Sequence, residues 1–116
     1  MAIVDLVTAD EALDVEYNRL ERMRDPSHTR ALPVSGLAGL VEAAGASIGH
    51  ETRHDQPLSI DRWLAQAQTP AESGRAIRRE LEAELAGGAP TGMRPLTRDG
   101  ELQFTQRWAI IVGRRP

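Results

Sequence analysis

The chain has 116 residues, 41% apolar and 27% charged, with a net charge of −3 and no cysteine. That length suits one domain spanning 1–116, and the missing cysteine excludes disulfides and thiolate metal sites. There is no run of 18 apolar residues, no basic-then-apolar leader and no basic face; these absences argue against a membrane span, a secretory signal and nucleic-acid binding, with the cytoplasm as the expected compartment.

All 14 basic residues are arginine. With the excess of Ala and Gly, this fits a GC-rich genome better than a guanidinium-based function. Residues Ala2 to Val7, AIVDLV, form a near-continuous apolar and β-branched run. That is the pattern of a strand buried on both faces of an α/β sheet. Asp5 interrupts it, either as a neighbour of a helix cap or as a carboxylate facing a ligand.

Thr8 to Glu11, TADE, reads as a capping box with Thr8 as N-cap. The helix it opens carries Leu13, Tyr17, Leu20 and Met23 or Arg24 on one face. Asp25-Pro26 ends it, because the residue before a proline is pushed out of the helical region. Ser27, His28, Thr29 and Arg30 therefore lie on a loop directly after a helix.

Val34 to Gly45 is a second helix, with Leu37, Leu40, Val41 and Ala44 at helical spacing and Gly45 as the stop. Residues 46–54 read as a strand with Ile48, His50, Thr52 and His54 on one face. Ser59 caps a third helix, where Leu58 can pack on Trp63. Thr69, Pro70 and Glu72 open a fourth, lined by Ile77, Leu81 and Leu85 and stopped at Gly87-Gly88.

Ala89 to Leu96 is a Pro/Gly-rich loop, and Asp99-Gly100 is a turn signal. Residues 101–113 make the best strand in the chain, with Leu102, Phe104, Trp108, Ile110 and Val112 on one parity. The order is β-α-α-β-α-α-β, with three strands near 2–7, 46–54 and 101–113 and four helices.

His50 and His54 would suit a metal on a helix, but on a strand they stand about 13 Å apart, too far for one ion. No metal site is expected. Trp63 is a core residue that could also wall a ligand site, whereas Phe104 and Trp108 read as core. The Glu72 to Glu84 stretch reads as a solvated helix face. Gly36, Gly39 and Gly45 lie inside or after a helix and form no phosphate loop.

The cluster from Ser27 to Arg30 is the densest polar group. Its hydroxyls could simply bond the local backbone. Alternatively it is a polar rim near a substrate, with His28 as a general base or donor.

Asn18-Arg19-Leu20-Glu21-Arg22 followed by Arg24-Asp25-Pro26-Ser27-His28, together with AIVDLV, GLVEAAGASI and RWAIIVGRRP, resembles the C-terminal half of a class I S-adenosylmethionine-dependent methyltransferase. The nearest branch is the small-molecule enzymes similar to ubiquinone/menaquinone C-methyltransferases. The resemblance runs through nearly the whole chain. It implies a truncated Rossmann-like half of a seven-stranded sheet ordered 3-2-1-4-5-7-6.

Residues 2–7 would then be the fifth strand, 46–54 the sixth and 101–113 the antiparallel seventh, a mixed three-stranded sheet. Residues 55–100 would be a lid-like insertion. The resemblance places Asn18, His28 and Arg30 on the substrate side. The family's cofactor elements, a glycine-rich loop after the first strand and an acidic residue ending the second, have no counterpart here. No S-adenosylmethionine contact is therefore expected in this chain alone, nor activity alone. The bare edge of the fifth strand predicts a homodimer or a partner chain supplying the other half. The alternative is a non-catalytic dimeric or small-molecule-binding module.

Overall fold

A computed structural model describes residues 2–115. Strand β1 (Ala2–Thr8) pairs antiparallel with β5 (Glu101–Arg114), Ala2 to Val7 lying opposite Val112 to Arg107. On the other side of β5 lies β3 (Ser47–Ser59), also antiparallel. The neighbour order β1-β5-β3 matches the expected order of fifth, seventh and sixth strands.

The sheet has five strands, not three. Strand β2 (Leu32–Pro33) runs parallel to β1 at Val7 and Thr8. Strand β4 (Leu96–Arg98) forms a hairpin with the start of β5. Asp99 and Gly100 both take positive φ, 53° and 76°, the mirror-image turn that matches the twist of a two-residue hairpin. Strands of two and three residues beside prolines carry no hydrophobic period, so the sequence did not show them. Pro33 is tolerated because β2 is an edge.

Strand β3 also runs five residues past His54, still paired to β5 through Ser59 opposite Gln103. A register shift between Ile48 and His50 turns Ile48 to the face opposite His50, Thr52 and His54, so the four do not share a face as expected. Beyond the shift, His50 Nε2 lies 2.7 Å from Thr52 Oγ1.

Alternation along β5 builds two cores. Leu102 and Phe104 pack with Tyr17 and Leu20 of α1 (Asp14–Arg24), Ile60 and Trp63 of α3 (Ile60–Gln66), Ile77 and Leu81 of α4 (Ala71–Leu85), and Met93. Ala109 and Ile111, with Val7 of β1, pack against Val34, Leu37 and Val41 of α2 (Val34–Ala43). Gly45 follows α2 in the left-handed conformation at φ 91°, as its role as a stop requires. Leu40 and Leu85, expected on inner faces, are exposed.

Two helix starts differ from expectation. Thr8 is the last residue of β1, held extended beside Pro33, and does not cap a helix. Asp10 does so: its Oδ1 accepts from the Ala12 N–H at 3.0 Å and opens a short 3-10 turn before α1. Glu11 accepts from the Ser35 hydroxyl instead of closing a box. Pro70 is the residue before α4, and the Thr69 hydroxyl donates to the Arg24 carbonyl at 2.9 Å, tying the α4 entry to the end of α1. The Ser59 cap is observed, its Oγ accepting from the Arg62 N–H.

One open edge and one bare patch of sheet face follow from this pairing. Beyond β2, the outer edge of β1 from Ala2 to Leu6 has no neighbouring strand among the described residues. Beside it, Val4 and its cross-strand partner Ile110 are 60% and 38% exposed, an apolar pair on the sheet face that α2 does not cover.

Candidate functional site

The helix α1 ends as the sequence requires, and the loop after it is a tight turn. The His28 N–H donates to the Asp25 carbonyl at 2.9 Å, with Pro26 supplying the fixed φ of the second turn position. Asp25 Oδ1 accepts from the Ser27 hydroxyl at 2.6 Å and from the Ser27 N–H at 3.0 Å. Those two bonds hold the Asp25 carboxyl below its ordinary value. The Ser27 hydroxyl thus bonds the Asp25 side chain rather than the local backbone, and the turn so built sets the place of His28.

His28 lines a half-open cleft of about 600 Å³, within the range of small-molecule sites. The floor is Tyr17, Glu21, Arg24 and Trp63; the loop side is His28, Thr29 and Arg30; the sheet side is Leu6, Gln106 and Trp108. A second groove along Gln56 to Ser59 carries no histidine or aromatic side chain, and its Asp61 and Arg78 are paired with each other.

The floor is a connected stack. Arg24 Nε donates to the Trp63 carbonyl at 2.9 Å, and its guanidinium carbon lies 4.7 Å over the Trp63 ring. Such a stacked cation is attracted by the ring's negative face. Arg24 also pairs with Glu21 at 3.4 Å, and Glu21 is only 5% exposed. Trp63 packs on Phe104 with centroids 4.8 Å apart. Burial, with the Glu21 carboxylate beside it, pushes the Tyr17 phenol far above its ordinary range, so it stays a neutral hydroxyl.

Of the residues expected at the site, His28, Arg30 and Trp63 come together in the cleft. Arg30 is exposed and donates to Asp14 Oδ2 at 2.9 Å. Asn18 is 2% exposed and does not line the cavity; it stands behind His28, its Oδ1 2.8 Å from His28 Nε2. Asp5 reaches the cleft from the open edge of β1, where its Oδ1 accepts from the Leu6 N–H at 2.8 Å.

Trp108, expected in the core, is half-buried and walls the cavity. Tyr17, Glu21, Arg24, Gln66 and Gln106 were not expected there. The one available signal was the parity of β5, which puts Gln106 and Trp108 on the face of Phe104.

Across the sheet, Arg107 and Arg94 both donate to the Asp55 carboxylate and hold it well below the usual carboxylate range. That cluster anchors the loop before β4 to the middle of β3 and β5 and lies outside the cleft.

No family model matches the sequence. Over 105 residues the chain is 27% identical to YcgJ of Bacillus subtilis, described as an uncharacterized methyltransferase, covering 90% of this chain and 42% of that protein. The solved structure of YcgJ superposes with a TM-score of 0.77 at 23% identity, over 99% of this chain and 50% of its own. BH2331 of Bacillus halodurans C-125, provisionally described as a methyltransferase, gives 0.77 at 22%, over 99% and 55%.

The fold is a methyltransferase fold. The chain spans about half the length of the proteins it matches.

Whether the cleft suits S-adenosylmethionine can be tested on its donors. No glycine lines it, so no bare backbone approaches the cavity closely. Both carboxylates that reach it are engaged, Glu21 with Arg24 and Asp5 with the Leu6 N–H. Glu21 is therefore not free to hold a ribose diol, and Asp5 has only its Oδ2 left at the exposed edge. These residues do not fit the cofactor.

Proposed function

We propose that this chain is the acceptor-side half of an S-adenosylmethionine-dependent methyltransferase, in the small-molecule branch similar to the ubiquinone/menaquinone C-methyltransferases. The observation that carries this reading is the cleft itself: a histidine on a fixed turn faces two tryptophans, while the donors needed by the cofactor are missing from the same cavity. The methyltransferase designation of the matched relatives supports it. Residues outside this chain, in another polypeptide or in the rest of a longer one, supply the cofactor site.

The chain's own task is then to hold the acceptor and take its proton. Trp108 and Leu6 give an apolar slot above the Arg24–Trp63 floor, and Arg30 offers a cation at the rim. His28 accepts a proton from the acceptor's nucleophilic atom, whose bonding electrons stay behind as the attacking pair. Segment 55–100, which brings Leu58, Trp63 and Gln66 to the cavity, serves as the lid.

Calorimetric titration of the 116-residue chain with S-adenosylhomocysteine tests the division of labour. No saturable heat is expected at high protein concentration. Saturable binding would place a cofactor site inside this chain and sink the half-enzyme reading.

A second reading is favoured by the open β1 edge and the bare Val4–Ile110 pair. An unpaired, β-branched edge is a template for another strand. The chain would then be a non-catalytic homodimeric module that joins through this edge. Sedimentation equilibrium at tens of micromolar should give twice the chain mass on this reading, and Val4→Lys should return it to a monomer. A monomeric wild type leaves the edge to a different chain and removes the module reading.

A further inference from the structure

We infer that Asn18 is the positioning residue of the site: it locks His28 in one tautomer, so that Nδ1 is the proton acceptor offered to a ligand. The tautomer follows from the hydrogen bonds alone. The Asn18 amide nitrogen donates to two carbonyls, Asp14 at 2.8 Å and Ala31 at 3.0 Å. Neither carbonyl can donate, so the NH2 end of the side chain is fixed there. The Ala31 N–H can only donate, and it reaches Asn18 Oδ1 at 2.6 Å.

Flipping the amide would set two acceptors against each other and a donor against a donor, three unfavourable contacts at once. Oδ1 is therefore an acceptor at the position that faces His28 Nε2 across 2.8 Å. A carbonyl oxygen can only accept, so Nε2 carries the hydrogen. A neutral imidazole has one hydrogen, and Nδ1 keeps its lone pair. Nδ1 has no protein partner among the described residues, while the ring lines the cleft.

The lock is stiff at both ends. Asn18 is 2% exposed and grips the backbone on either side of the turn, at Asp14 in α1 and at Ala31 after it. The turn closed by Asp25 and Pro26 fixes the His28 backbone independently. The ring is thus held by its backbone at one end and by Nε2 at the other.

This arrangement names the chemistry of the ligand. The group placed against Nδ1 must bring a weakly acidic O–H or N–H, with a flat or apolar body to lie against Trp108 and Leu6. Proton transfer moves the hydrogen from that atom to Nδ1, leaves its bonding pair on the ligand, and makes an imidazolium whose Nε2–H still rests on Asn18 Oδ1. This deepens the proposed function and rests on it for the role of the acceptor; the tautomer itself does not depend on that reading.

The experiment is long-range nitrogen–proton NMR on the full chain labelled with nitrogen-15 histidine, at a pH where the rings are neutral. His28 is expected to show a pure pyrrole-type Nε2 and a pure pyridine-type Nδ1. His54, which makes no side-chain hydrogen bond among the described residues, should show the averaged values of a free ring. In Asn18→Ala, the His28 signals should move to those averaged values. Because that variant also frees two carbonyls, the wild-type spectrum stands as a separate test if it fails to fold.

Phenol is the probe for the ligand class. Added to the wild type, it should shift the His28 Nδ1 resonance and leave that of His54 in place. An averaged or Nδ1–H tautomer for wild-type His28, an unchanged tautomer in a folded Asn18→Ala, or an Nδ1 blind to phenol would each overturn the inference. A locked tautomer in a chain that binds S-adenosylhomocysteine would uphold it while the half-enzyme reading falls.

Discussion

On the half-enzyme reading proposed above, His28→Ala is expected to lower kcat of the assembled enzyme by roughly 10²- to 10⁴-fold, the usual contribution of a placed general base. KM should change little, since the apolar walls of the cleft come from Trp108 and Leu6 rather than from the imidazole. The fold should survive the change. Asn18 Oδ1 loses one donor but keeps the Ala31 N–H at 2.6 Å, so no buried acceptor is orphaned. The stability loss should then stay near about 1 kcal/mol, the net worth of one hydrogen bond.

The measurement is methyl transfer by this chain together with the residues proposed to supply the cofactor site, in a second polypeptide or in a longer form of this one, comparing kcat and KM for wild type and variant. An unchanged kcat would remove His28 from the chemistry and leave it as a turn residue. A rise in KM at constant kcat would make it a binding group instead.

Much of this architecture was legible in the sequence, for identifiable reasons. In the strand from Glu101 onward, the parity of Leu102, Phe104 and Trp108 was legible, but Ala109 to Val112 is apolar on both faces, and there the structure buries Ala109 and Ile111 rather than Ile110. Asp25-Pro26 and Asp99-Gly100 stop and turn the chain by backbone constraint, and the structure uses both as turns. That β1 is a strand also followed from its apolar, β-branched run, but the burial on both faces which that run implied did not: Ala2, Val4 and Asp5 are exposed, because no further strand flanks that end of the sheet and no helix covers its Val4 face among the described residues.

The cleft was only partly legible, because one face of β5 passes through three surroundings. Leu102 and Phe104 lie under α1, α3 and α4, Gln106 and Trp108 open into the cavity, and Ile110 stands bare. Parity gives the face, but only the helices decide which length of it is covered. Strand β3 shows the same limit from the other side. From His50 to Gln56 it is polar and exposed throughout, and its extended form comes from its long pairing with β5 rather than from any pattern of its own. Glu21 and Arg24 were hidden for a related reason. On sequence they read as a charged helix end, yet the approach of α3 buries the first and stacks the second on Trp63.

That approach makes Trp63 the residue on which core and cleft meet, and Trp63→Ala is expected to cost about 3–5 kcal/mol. The ring is 1% exposed, packs against Phe104 at 4.8 Å and lies beneath the Arg24 guanidinium. Removing it empties a large volume between α3 and the sheet. It also takes away the face on which Arg24 rests, and with it part of what holds that cation beside the buried Glu21. Domains of this size are stable by only about 5–15 kcal/mol in all, so the variant should unfold at a markedly lower urea midpoint, or not fold at all. Trp63→Phe keeps an aromatic face under Arg24 and should lose clearly less. Urea denaturation of the three proteins, followed by circular dichroism, reads the order directly. If Ala and Phe cost the same, neither the aromatic face under Arg24 nor the volume a phenyl ring refills contributes, and the loss comes from what the indole alone supplies. If neither moves the midpoint, Trp63 is not packed between α3 and Phe104, and the floor of the cleft has to be redrawn.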